Sequence, residues 1–293
     1  MNRRHFIRTT AAGTLALSQT GTLLALEADN AYRKNIGIQL YTLRNQLAKD
    51  AAGTLKKVAE AGYKQVELYG FPKADAMIAG AKDAGLAIHS SHFEWDSAVN
   101  PKDAGMSDFS RIVDQAAKLG LSHLVIPYLH DGNRKTLDDY KKVAEHSNKA
   151  AEIADKAGIR LSYHNHNFEF EPKDGGKSGY DIFIAEFSPK MMFEIDVFWV
   201  KAAGIDPVEL IRKLSGRVSQ LHLKDLKEGI QTPNYASGLP ADAFQELGDG
   251  VIPMESILVA AKGAGVVHCH VEQDQSPDAM ASIAQSIGYL SKL

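Results

Sequence analysis

The stretch "DKAGIRLSYHNHNFEF" (155–170) carries the pattern on which the fold turns. A helical run ends around Ala157, Gly158 follows, and an apolar segment starts at Ile159. Glycine in that place supplies the left-handed residue that ends a helix and lets the chain turn into the next element. The same arrangement returns in "AEAGY", "KDAGL", "AKLGL" and "KGAGV". Each predicts a helix that closes immediately before a strand.

Working outward, eight short apolar runs follow one another: 36–41, 64–69, 86–91, 123–128, 159–164, 191–196, 218–223 and 266–272. Amphipathic stretches such as "DAAGTLKKVAEA" and "DFSRIVDQAAKLG" lie between them. Eight strand–helix units in about 255 residues predict one α/β domain over 35–293, a single (β/α)8 TIM barrel. A doubly wound open sheet shares the alternation, but the first run continues as "QLYTLRNQL", without a glycine-rich phosphate loop. The longest loop is expected over 226–250, rich in Gly and Pro.

With 293 residues, 44% hydrophobic and 24% charged, the chain can bury a large core and is not a disordered one. A net charge of −3 without clustered Lys and Arg excludes the electrostatic footprint of a nucleic-acid binder. A single cysteine, Cys269, excludes an internal disulfide and a zinc site built on several thiolates. Residues 1–28 read as a targeting segment. "NRRHFIR" followed by a mildly apolar run resembles a twin-arginine export signal, which predicts a periplasmic protein with no stable membrane anchor after cleavage. A disordered basic start and an uncleaved inner-membrane tether are the alternatives. Nothing in the chain specifies an oligomeric state.

In such a barrel the active site forms at the C-terminal strand ends, where residues two apart share a face. His164 and His166 share one, as do Glu194 and Asp196, His222 and Lys224, and His268, His270 and Glu272. Ligand-type side chains thus end each of the last four runs, facing inward, where they are costly to bury unless something pairs with them. Carboxylates and imidazoles from neighbouring strands suit a catalytic divalent metal, with Asp196, His222 and Glu272 the first candidates. His123, His130 and His146 are expected to be ordinary hydrogen-bonded histidines, and His268 a core residue satisfied by its neighbours. His89 and His92 have opposite parity, so at most one should point inward if the strand continues through both.

"YHNHNFEF", "FEIDVFWV", "LHLKDLK", "ELGDGVIPMESIL" and "HVEQDQSP" resemble the sugar phosphate isomerase/epimerase family of xylose isomerase-like barrels, over essentially all of 35–290. The resemblance implies one divalent ion (manganese, zinc, magnesium or cobalt) held by one residue from each of the last four strands. The matching positions are His164, Asp196, His222 and Glu272. At the fifth-strand position many members of the family have glutamate in an "ENH" run where this chain has "HNH". Family epimerases work on opposite faces of a carbon with two metal-bound carboxylates. Here only Glu272 of that pair remains, and a metal-bound imidazole has no free electron pair with which to act as base. A two-base epimerisation would need Glu67, Glu169 or Glu194 as the second base.

The expected chemistry is proton abstraction beside a carbonyl of a non-phosphorylated sugar or keto-sugar. Glu272 is the expected base, with Lys224 and Glu67 as further catalytic candidates; Lys224 could instead pair with Asp225 at the rim. Gln39, Tyr41, His92, His166, Glu169 and Trp199 are expected to line the sugar pocket, although Tyr41 and Trp199 could equally be rim packing. Isomerisation, epimerisation and elimination from a 3-keto-glycoside share this first step. A non-catalytic sugar-binding protein and an endonuclease IV-like repair enzyme are the readings from other classes. The second would need more metal ligands and a basic groove.

Overall fold

The computed structural model describes residues 31–293 apart from Ser237, so the export signal expected over 1–28 lies outside the described residues. Its strands are β1 (Gly37–Gln39), β2 (Gln65–Phe71), β3 (Ala87–Phe93), β4 (His123–Ile126), β5 (Arg160–His164), β6 (Met191–Asp196), β7 (Val218–Leu223), β8 (Asp225–Leu226), β9 (Phe244–Gln245) and β10 (His268–Val271). Eight of them close a parallel barrel in the order β1-β10-β7-β6-β5-β4-β3-β2, and β8 and β9 form a separate antiparallel pair. The predicted (β/α)8 barrel is the observed fold, with helices following the strands around its outside. No described helix is long and apolar enough to cross a membrane.

Local chemistry explains the alternation. Gly158 and Gly120 take φ of 74° and 84°, a left-handed geometry that an L side chain rarely adopts, and each hands its helix over to the next strand. At the other helix ends, Thr136 and Ser178 cap with reciprocal bonds to Asp139 and Asp181. Outward-facing strand residues such as Leu161, Tyr163, Phe193, Ile195 and Leu221 are sealed under the helices and form the apolar core.

Most TIM barrels fill their lumen with branched aliphatic residues. This one places Gln39, Glu67, Ser90, Glu194, Gln220, His222 and His270 there, all with no exposed surface. Strand β3 carries an irregularity: Val66 pairs with Ile88, but Glu67 pairs with Ser90, so His89 is a bulged residue. The expectation that only one of His89 and His92 meets the interior therefore fails. The His89 ring lies 4.7 Å from that of His268, and His92 lies 5.3 Å from His164.

The lumen also limits what its wall can carry. A Cβ on Gly37 would stand 2.5 Å from His270 Cδ2 and 3.0 Å from the Cys269 carbonyl oxygen. Gly37→Ala should cost about 1–3 kcal/mol of stability, the usual range for overpacking a tight interior, read as a lowered urea midpoint.

Candidate active site and metal centre

Strand ends β5, β6, β7 and β10 bring four donor atoms together. His222 Nδ1 lies 3.1 Å from His164 Nε2 and 2.8 Å from Glu272 Oε2, and Asp196 Oδ2 lies 3.4 Å from His164 Nε2. All four donors fall within 4.8 Å of one another. Asp196 is aimed by its own backbone. Its Oδ1 accepts from the amides of Phe198 and Trp199, capping the helix Val197–Ala202, which leaves Oδ2 directed inward. Asn165 fixes the same strand end by accepting from the Asp196 amide at 3.1 Å, and Asn167 donates to the carbonyls of Asn234 and Ala236 in the long loop. The nitrogen-rich "HNHN" run is thus divided between imidazoles turned inward and amides tying β5 to its neighbours.

This donor set fits a divalent cation. Asp196 Oδ2 and Glu272 Oε2 are buried without a well-aligned hydrogen bond, although Lys224 Nζ stands 3.0 and 2.8 Å from them. Two imidazoles and two carboxylates suit a borderline ion such as zinc better than magnesium, which favours an all-oxygen shell.

Three expected site residues lie elsewhere. Glu67 is sealed in the lumen beneath the donors, bonded to Gln39, Ser90, Gln220 and His222, and does not reach the cavity as a base would have to. Gln39 likewise donates to Glu67 at 2.8 Å rather than lining a pocket. Glu169 turns away from the site, accepting from the Tyr163 hydroxyl at 2.6 Å and the His166 amide at 2.8 Å. Glu194, a further second-base candidate, is held by His92 and Gln220 with no exposed surface.

Above the donors opens a cavity of about 500 Å³. Tyr41, His92, His166 and Trp199 line it, with His164, Lys224 and Glu272 at its polar end. Sequence reasoning missed Tyr69, Trp95, Tyr128, Phe244 and Asp274. Asp274 shares the parity of His270 and Glu272, a signal that was available, whereas Trp95 and Phe244 sit in loop-borne elements that parity does not reach. Lys224 pairs with Asp274 at 3.0 Å as well as with Asp196 and Glu272, and not with Asp225. Asp225 instead accepts from the amides of Gly248, Gly250 and Ile252 and so organises the loop that brings Phe244 to the cavity.

Charge follows this packing. Burial opposes the charged form of Lys224, yet Asp196, Asp274 and Glu272 outweigh it and hold the ammonium well above its ordinary range. Burial pushes Glu272 up, but Lys224 and His222 bring it well below the usual carboxylate range. Burial, with His164 and Lys224 nearby, keeps His166 well below an ordinary histidine and therefore neutral.

A model of the xylose isomerase-like TIM barrel family matches residues 55–293. The chain belongs to that family. A sugar phosphate isomerase/epimerase from Parabacteroides distasonis superimposes with a TM-score of 0.72 at 28% identity, covering 88% of this chain and 93% of that one. An inosose dehydratase from Clostridium botulinum is 23% identical over 269 residues, 81% of this chain and 85% of its own length. The IOLI protein, solved with a bound zinc atom, shares the fold at a TM-score of 0.65 and 13% identity, over 88% of this chain and 97% of that one.

In this xylose isomerase-like barrel Glu169 titrates where stability can report it. Burial, only partly offset by the Tyr163 hydroxyl, raises its pKa to about 7. A folded-state pKa above the unfolded value adds stability at low pH that is lost as pH rises through about 7. Glu169→Gln removes that dependence. Between pH 4.5 and 8 its stability relative to wild type should rise by at most about 3 kcal/mol, measured by urea unfolding across pH.

Proposed function

We propose that the protein is a divalent-metal-dependent enzyme that removes the proton beside a carbonyl of a non-phosphorylated sugar or keto-sugar. The observation that carries this reading is the convergence of His164, Asp196, His222 and Glu272 at the floor of one cavity. The zinc atom of the IOLI protein, on the same fold, supports the metal. A bound divalent ion would polarise the carbonyl as a Lewis acid. Glu272, ionised and at the polar end of the cavity, takes the proton from carbon, and the electron pair moves to the carbonyl oxygen. Lys224, its ammonium held by carboxylates on the same side, faces the negative charge that develops there. Neutral His166, whose Nδ1 has no partner, orients substrate hydroxyls. Trp199 offers an aromatic face to sugar C–H groups.

Among the described residues Lys224 is the only Lys or Arg lining the cavity, and three carboxylates already surround it. A phosphate would find no free cation to grip, which supports an unphosphorylated substrate. The twin-arginine-like start supports a periplasmic place of action, where phosphorylated sugars are uncommon.

With Glu67, Glu169 and Glu194 turned from the cavity, a two-base epimerisation lacks the second bases expected for it, and the other carboxylates lining the cavity are held by lysines, Asp274 by Lys224 and Glu94 by Lys73. One-base outcomes remain: return of the electron pair with loss of a β-substituent, or reprotonation at the neighbouring carbon. The inosose dehydratase relatives favour elimination, as water or as the aglycone of a 3-keto-glycoside. The Parabacteroides structure is described as a sugar phosphate isomerase/epimerase, and of those two outcomes isomerisation is the one a single base can complete.

NMR in deuterated water on metal-loaded protein with a panel of keto-sugars and oxidised glycosides should show deuterium uptake or a released leaving group. Glu272→Gln should slow it by roughly 10²–10⁴-fold, the usual worth of a positioned base. Processing of a sugar phosphate, with no exchange or turnover on any keto-sugar, would overturn the reading. Elemental analysis should find about one divalent ion per chain, lost in Asp196→Ala and Glu272→Ala.

A further inference from the structure

His222 is contacted by carboxylates at both ends of its ring. Nδ1 faces Glu272 Oε2 at 2.8 Å and His164 Nε2 at 3.1 Å, while Nε2 lies 2.6 Å from Glu67 Oε2 and 3.3 Å from Glu194 Oε1. An imidazole that ligates a metal is neutral and carries one N–H, and the position of that hydrogen decides which nitrogen can bind a cation. With the hydrogen on Nδ1, the donor side is blocked and the Nε2 electron pair is pressed against a carboxylate. With the hydrogen on Nε2, Glu67 accepts it and the Nδ1 electron pair points at His164, Asp196 and Glu272.

Glu67 is itself held for that task. Gln39 Nε2 donates to its Oε2 at 2.8 Å, Gln220 Nε2 donates to its Oε1 at 2.7 Å, and the Ser90 hydroxyl donates to the same Oε1. These donors would have no acceptor of equal strength if the carboxylate were replaced. Glu67 stands on β2 and His222 on β7, separated around the barrel by β1 and β10, so the bond crosses the lumen between non-adjacent strands. The His92 ring, 5.4 Å away and inclined by 26°, stacks on His222 and limits its rotation.

We propose that Glu67 is the positioning residue that makes His222 a metal ligand through Nδ1, fixing its tautomer and raising its donor strength from across the barrel. This rests on the metal-centre reading above. A carboxylate behind a ligating histidine raises metal affinity by roughly 10–100-fold, because it orients the ring and increases its basicity.

Two measurements on the folded chain test it. In uniformly ¹⁵N-labelled wild-type protein loaded with Zn²⁺, long-range ¹H–¹⁵N spectra should show His222 with its hydrogen on Nε2 and its Nδ1 metal-bound. In a zinc competition titration, Glu67→Gln should bind roughly 10–100-fold more weakly than wild type, and Glu194→Gln, whose carboxylate is the more distant from Nε2, should lose less. Zinc-loaded His222 carrying its hydrogen on Nδ1, or Glu67→Gln matching wild type or the Glu194→Gln variant, would overturn the inference while leaving the metal centre standing. Wild-type protein that takes up no zinc would overturn the metal-centre reading and the inference with it. The spectrum of wild-type protein keeps the test decisive even where a lumen variant fails to fold.

Discussion

His222 held between Glu67 at 2.6 Å and Glu272 at 2.8 Å is the contact on which the interior depends. Ionised groups are expensive to take out of water, and they persist inside a protein only when paired and hydrogen-bonded. The ring makes both conditions possible at once, since it has a nitrogen for the carboxylate below and another for the donors above. Gln220 extends the pairing by donating to both Glu67 and Glu194, and His92 completes it at 2.9 Å from Glu194. A lumen so committed to polar pairing contributes little apolar burial. Stability falls instead to the layer between the strands and the helices, where the aliphatic and aromatic core residues lie.

The same economy governs the strand ends. Asp196 uses one oxygen to close the helix after it and the other to face the site, so the turn from strand to helix also sets the direction of a donor. Asn165 bonds both backbone groups of Asp196 and locks β5 to β6 at the level of the cavity floor. A donor positioned by a helix cap and a neighbouring strand moves only if the barrel moves, which suits a site whose donor atoms must keep fixed positions.

Periodicity made the barrel legible, because glycine-terminated helices and two-residue alternation are local properties of the chain. The residues at the last four strand ends were legible for the same reason: parity places His164, Asp196, His222 and Glu272 on the inner face before any contact is known. Local reasoning failed where a contact crosses the lumen. Glu67 has the parity of a site residue, but its partners Gln220 and His222 lie more than 150 positions away, and their contacts place it below the cavity. It failed again at His89, where one extra residue in β3 shifts the parity of Ser90 and the rest of the strand. The pairing of Lys224 with Asp274 rather than with adjacent Asp225 has a similar origin, since successive strand residues face opposite sides and Asp225 is taken up by loop amides.

The imidazole of His164 in place of a glutamate is best understood through charge. As metal ligands both imidazoles would donate as neutral rings, so that Asp196 and Glu272 would supply two negative charges, which a divalent ion would balance. Lys224 and Asp274, 3.0 Å apart, add a pair that is neutral in sum. In the reaction proposed above, a carboxylate at position 164 would leave a surplus negative charge beside the carbonyl oxygen, where proton removal would create another. The histidine removes that surplus, so that in the proposed reaction the charge developing on oxygen would meet the Lys224 ammonium and a balanced donor set. It also removes the second base. On the proposed reading the site stabilises the anion formed when Glu272 takes a proton, and none of Glu67, Glu169 and Glu194 reaches the cavity to return one to the other face, which supports elimination or isomerisation over epimerisation.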